Sequence, residues 1–258
     1  MFESVRNAFK VKDIRNRLLY TLVCIAIVRL GTLLPAPAVN RDYTNQIFNS
    51  QALGFFNSIT GGSFEKLSIF ALSITPYISS SIIVQLLTIA IPKLEEIQKE
   101  GEDGRKKINE LTRYLTVVLA VIESLAMAIG FGNQGALEGG LTFTNGVIIV
   151  ASFTAGSTFL MWLGEKITQN GVGNGISIIL TVNIISSLPA DFVGLYQTYV
   201  KGQSVVKAVL AIILIVLISL ALIAYVVVLQ DAERRIPVTY AKKVVGRKMV
   251  GRQTSHIP

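Results

Sequence analysis

Apolar residues along this chain gather into runs that approach the roughly 20 residues needed to cross a hydrocarbon core about 30 Å thick, and charged residues fall mostly between the runs. Six runs stand out: residues 18–34, 67–91, 114–131, 145–163, 176–188 and 205–230. The fifth is short and led by glycine; the sixth is the longest and least interrupted. The pattern predicts an all-α polytopic membrane helix bundle. Ahead of the first run, the arm 1–17 carries Arg6, Lys10, Lys12, Arg15 and Arg17, as a signal peptide would. Arg29 interrupts the run, no small-residue cleavage pattern follows, and Pro35-Ala-Pro37 reads as a helix stop, so a retained span is expected.

Between the first two spans lies Ala52-Leu-Gly-Phe-Phe-Asn-Ser-Ile-Thr-Gly-Gly62. It is apolar enough to enter a membrane and too short to cross one, and Gly61-Gly62 gives the backbone a hinge. A re-entrant helix within 52–66 is the expected result. Irregular backbone at that depth has to be buried in protein or line a wet cavity, because unsatisfied N–H and C=O groups cost several kcal/mol each. A second glycine cluster, Gly171-Val-Gly-Asn-Gly175, fits neither a dinucleotide nor a phosphate-loop pattern and reads as a turn in which Gly and Asn supply positive φ.

Composition sharpens the membrane reading: 51% of the 258 residues are apolar and 16% charged, against about 25% charged in an average soluble domain. Six spans put both ends on one side. That side carries 19 of the 24 Lys and Arg: five in the arm, six in loop 93–113, one in 164–175 and seven in the tail 231–258. Only Arg41, Lys66 and Lys201 lie in the opposite loops. The bias places both ends in the cytoplasm. Loop 93–113 balances six acids against six bases and reads as a solvated helical connector.

One cysteine, Cys24, and one histidine, His256, exclude a disulfide scaffold, a zinc cluster and Ser-His or Cys-His hydrolysis; both read as structural or incidental. No catalytic residue, metal or cofactor is expected, and an intramembrane enzyme lacks its acid-base set. A secondary transporter with broken-helix inverted repeats is the alternative; it would need ionisable groups converging at mid-depth, where only Glu123 and Arg29 stand out.

Four long stretches carry a family resemblance. They are Leu67-Ser-Ile-Phe-Ala-Leu-Ser-Ile-Thr-Pro-Tyr-Ile78 continuing to Gln85-Leu-Leu, and Glu100-Gly-Glu-Asp-Gly-Arg-Lys-Lys-Ile108 before Thr112-Arg-Tyr114. The others are Leu163-Gly-Glu-Lys-Ile-Thr-Gln-Asn-Gly-Val-Gly-Asn-Gly-Ile-Ser-Ile178 and Glu233-Arg-Arg-Ile-Pro-Val-Thr-Tyr-Ala-Lys242. In this order they resemble the SecY family of protein-conducting channels, in its bacterial form. That family has ten spans in two inverted halves. The chain matches spans 1–5 of one inverted repeat plus span 6 and stops within what resembles the loop before a seventh, so it is expected neither to seal nor to translocate unaided.

The resemblance implies an activity and roles: a Sec translocon subunit in the bacterial cytoplasmic membrane, passing unfolded polypeptides across and membrane helices sideways. Ile74 and Ile78, four apart on one expected helix face, and Ile176 and Leu180 on the fifth span match a pore ring, where flexible apolar side chains fit around a passing chain and dewet when empty. Leu180 departs from the usual Ile. Phe55, Phe56, Asn57, Ser58, Ile59, Thr60, Gly61, Gly62, Ser63 and Phe64 match the plug beneath the ring. Ser79, Ile82, Ile83, Gln85 and Leu86 match one wall of a lateral gate, although small polar residues also serve plain helix packing. Glu123 falls near that gate, where the family tends to an uncharged polar residue. It is a functional candidate or a carboxylate paired with a neighbour such as Arg29. Arg234, Arg235, Lys242, Lys243, Arg247 and Lys248 match a docking loop for the ribosome and the SecA motor, and would equally favour anionic lipid. Implied partners also include SecE, SecG and the signal sequences of preproteins.

Overall fold

The computed structural model describes residues 11–40, 54–202, 205–233, 236–239, 244–245, 248–249 and 254–257. Eight helices follow one another among them: α1 Lys12–Thr32, α2 Gly54–Thr60, α3 Thr75–Ala90, α4 Pro92–Lys99, α5 Glu102–Asn133, α6 Phe143–Asn170, α7 Gly175–Tyr199 and α8 Val205–Gln230. The tail adds four short strands, β1 Ile236–Thr239, β2 Val244–Val245, β3 Lys248–Met249 and β4 Thr254–Ile257, as two antiparallel pairs, β1 with β4 and β2 with β3. The chain divides into two units, 1–191 and 192–258. The second holds the end of α7, α8 and the strand pairs.

Four helices, α5 to α8, are long and apolar enough to cross a membrane, and α3 with α4, bent by 102° at the break between them, makes up to five. The first expected span, α1, is 21 residues long but carries Lys12, Asp13, Arg15, Arg17 and Arg29. It ends at Thr32, just before the Pro35 stop.

Three boundaries differ from expectation for physical reasons. The second span does not begin at 67: residues 61–74 form a chain of turns, and helix starts only at Thr75. Pro76 explains this, because a helix running through it would lose the bond from residue 76 to the Leu72 carbonyl and clash there. The third span does not begin at 114: the connector 93–113, expected to be helical, is mostly helix and continuous with it. Here α4 turns back through Gly101, at φ 83°, into α5, which then runs unbroken for 32 residues. Its polar start is braced by Lys106–Asp103 at 3.1 Å and Lys107–Glu100 at 2.8 Å. The fifth span does not end at 188, since α7 continues through Pro189 to Tyr199.

Small residues set the packing of the first unit. On α5 the buried positions are Thr112, Thr116, Ala120, Ser124, Ala128 and Gly132, spaced by four, beyond Gly104 at the turn; on α3 they are Pro76, Ser80, Val84 and Thr88. Ridges of this spacing let α5 lie close against both α3 and α6, and Ser124 and Thr154 hydrogen-bond across α5 and α6 at 3.1 Å. The irregular segment 61–74 fills the space this leaves. A Cβ on Gly156 of α6 would sit 2.0 Å from the Ile69 carbonyl oxygen, so only glycine admits the coil. The coil's polar groups are met in turn: Ile69 N–H donates to the Leu34 carbonyl at 3.0 Å, Ala71 N–H to Ser68 at 2.9 Å, Ser73 N–H to Phe70 at 2.8 Å, and the Ser157 hydroxyl to the Ser73 carbonyl at 3.1 Å. This is the condition for irregular backbone at membrane depth.

Candidate functional site

Ile74 is the cap residue of α3, and its carbonyl accepts the Ile78 N–H at 3.1 Å. It is 1% exposed, in a cluster with Cys24, Val28, Phe70, Leu160, Leu163, Ile167 and Ile179. Ile78 and Ile176 pack against the same cluster and remain half-buried. Three of the four expected ring residues therefore meet. Leu180, one turn further along α7, is likewise half-buried but lies outside the cluster. The Gly171–Gly175 turn that leads into α7 places Ile176: Gly173 alone of its residues takes positive φ, at 69°, while Asn174 instead accepts the Ser177 N–H at 3.3 Å.

The expected re-entrant helix is α2. A seven-residue helix is far below the length at which isolated helices persist in water. It is held by a few contacts to three longer helices. Arg29 Nη1 of α1 donates to the Gly61 carbonyl at 3.3 Å, and the Ser58 hydroxyl to Asp191 of α7 at 3.4 Å. Phe64 packs edge-on to Phe131 of α5 at 5.7 Å and lies 6.1 Å from Phe56. Asn57 closes the segment on itself, with its Nδ2 donating to Glu65 at 2.8 Å and its Oδ1 accepting the Glu65 N–H at 3.1 Å.

Glu123 lines a cleft of about 350 Å³ with Phe56, Thr60, Phe64, Thr75 and Met127. It forms no ion pair among the described residues; the suggested pairing with Arg29 is replaced by Arg29 on Gly61. The other gate residues lie elsewhere: Ile82, Ile83, Gln85 and Leu86 are exposed on the face of α3 opposite its buried ridge, with Ser79 half-buried at its margin. A second, more polar cleft of about 310 Å³ is lined by Tyr77, Asn109, Arg113, Glu165 and Ile176. Of the docking residues, Arg234, Arg235, Lys242, Lys243 and Arg247 lie outside the described residues, and Lys248 falls in β3.

Sequence reasoning missed Asn183. Its side chain is 1% exposed, its Nδ2 donates to the Ser73 hydroxyl at 3.3 Å, and its Oδ1 is buried without a partner among the described residues. An Asn amid Ile and Leu on an apolar span was the available signal.

A bundle of long apolar helices that folds a short helix and a buried, non-helical segment back into itself defines the class: a multi-pass membrane protein with a re-entrant element. The SecY family model matches residues 68–258. The chain is 41% identical over 262 residues to the protein translocase subunit SecY of Halalkalibacterium halodurans, covering all of this chain and 61% of that one. It is 42% identical over 255 residues to the SecY subunit of Pseudomonas aeruginosa, covering 96% of this chain and 56% of that one. A solved structure, described as showing that the plug domain of SecY stabilises the closed state of the translocation channel, shares the fold at TM-score 0.52 and 17% identity, over 92% of this chain and 52% of that one. The chain belongs to the SecY family, and it spans about three fifths of the length of the curated relatives it matches.

Proposed function

We propose that this chain is the N-terminal portion of a SecY-type translocon channel, which passes unfolded secretory polypeptides across the bacterial cytoplasmic membrane and releases membrane helices sideways into lipid. The concentration of basic residues in the arm, loop 93–113 and the tail favours both ends of the chain in the cytoplasm. The chain itself makes and breaks no bonds; SecA or the ribosome, docked on the basic tail, supplies the drive, and SecE and SecG complete the complex.

The observation that carries the reading is the meeting of Ile74, Ile78 and Ile176 at one apolar cluster, at the end of the coil that follows α2. Ile74 sits at the α3 start and Ile176 at the α7 start, so separating these two ends opens a constriction lined by isoleucine. Side chains of that kind exclude water when apposed and yield to a polypeptide of any sequence. With few contacts to break, α2 can be displaced without disrupting either core cluster, and that low local stability is what a plug requires. The exposed apolar face of α3, with Ile82, Ile83 and Leu86, is the surface a signal sequence would meet on its way to lipid.

The test is capture of a passing chain. Photo-crosslinking residues placed singly at Ile78 and Ile176, in membrane vesicles containing SecE and SecA, are expected to trap a stalled secretory polypeptide, whereas one at exposed Ile27 of α1 should not. Capture at neither ring position overturns the proposal.

A further inference from the structure

Arg29 is a charged group within an apolar helix, and such a group needs a hydrogen-bond acceptor wherever it goes. Its acceptor here is the Gly61 carbonyl, on the segment read above as the plug. Gly61 has φ 65°, and a Cβ built on it would lie 2.8 Å from Arg29 Nη1, 3.0 Å from Asn183 Cα and 3.0 Å from the Ser186 hydroxyl. Arg29 and Asn183 thus border the same small volume, which Gly61 occupies. Asn183 brings to it a buried carboxamide oxygen with no partner among the described residues. An unmet acceptor at this depth is costly, so it favours any arrangement that supplies a donor.

We propose that Arg29 is a two-position donor: it latches the re-entrant segment through the Gly61 carbonyl when that segment is docked, and passes to the Asn183 Oδ1 when the segment leaves. Neither state strands a guanidinium in the apolar interior, and the exchange makes departure of the segment less costly than breaking a charged hydrogen bond outright. Asn183 is then a positioning residue for the open state and Gly61 the one residue that fits between them.

The inference rests on the plug reading, but its test does not. Ser63 is fully buried on the same segment, so Ser63→Cys in a Cys24→Ser background is modified by an aqueous maleimide only when the segment moves. Labelling reports position whether or not the segment blocks a conduit, so a failure of the conduit reading and a failure of the latch are separate results. Arg29→Met is expected to raise the labelling rate about tenfold or more, as loss of a charged hydrogen bond implies. Gly61→Ala, whose methyl group would crowd both Arg29 Nη1 and the Asn183 backbone at a φ of 65° that strains any side chain, raises it too. The two states are distinguished at Asn183. Asn183→Leu removes the open-state acceptor and lowers the rate, while Asn183→Asp strengthens it and raises the rate; both effects vanish in the Arg29→Met background. Unchanged labelling in both Arg29→Met and Gly61→Ala overturns the latch. Movement of the two Asn183 variants in the same direction, or their persistence without Arg29, overturns the exchange.

Discussion

Arg113 of α5 and Glu165 of α6 form an ion pair, with Nε donating to Oε1 at 2.7 Å, and the pair forms one edge of the polar cleft that Ile176 and Tyr77 also line. It fastens two helices that are also tied by the Ser124–Thr154 hydrogen bond and share a buried apolar cluster. The arginine side chain is 45% and the glutamate 20% exposed, so solvent screens the pair in part. Arg113→Met is expected to lower the unfolding midpoint in detergent by about 2–4 °C, the equivalent of roughly 1 kcal/mol for a chain of this size, and the difference should shrink in 1 M salt. Thermal scans at two salt concentrations check both statements.

Ile74 and Leu180, alike by family position, differ in burial. Ile74→Ala empties a filled cluster and is expected to cost about 2–5 kcal/mol, whereas Leu180→Ala, outside that cluster, should cost less than about 1.5 kcal/mol. Denaturant or thermal unfolding of the two variants side by side gives the comparison; equal losses would place Leu180 in the cluster.

Glu123 makes no ion pair among the described residues, and substituting it should therefore be cheap. Glu123→Gln is expected to leave stability within about 0.5 kcal/mol of the parent. A loss several times larger, read from the same unfolding curves, would restore a charged partner. The functional counterpart is gate opening across pH, which an unchanged profile in Glu123→Gln would disconnect from this carboxylate.

Gly156→Leu drives a side chain into the Ile69 carbonyl and is expected to destabilise by about 3 kcal/mol or more, with maleimide access to Ser63→Cys rising as the coil is displaced. Gly146→Leu, on the same helix with open space before it, serves as the control and should change little.

Much of the bundle was legible because lipid-crossing helices announce themselves by length and apolarity, and the isoleucines that meet at one cluster lie within the family stretches. What was hidden has particular causes. The start of α3 was misplaced because Leu67 to Ile74 is as apolar as a helix, and only Pro76 says that helix cannot form there. The polar connector was expected to be helical, but its balanced charge hid that it runs into the third span as one unbroken helix, α5. Arg29 was noticed but its partner was not, since a backbone carbonyl 32 residues away leaves no mark in the sequence. Asn183 went unremarked beside the family motif that precedes it. The α3 residues expected at a gate are exposed whereas Glu123 lines a cleft, a distinction that spacing along separate helices cannot provide.

The coil between α2 and α3 also sets a clock on biogenesis. The Ser73 carbonyl is met by Ser157, 84 residues later, so at a synthesis rate of about 5–20 residues per second the nascent protein waits roughly 4–17 s before the turn segment can be completed. During that interval the Ser73 carbonyl lacks its α6 donor. Maturation of the coil is consequently tied to arrival of the α6 serine, and the coil is the stretch that a quality-control protease or a membrane insertase would meet unfinished.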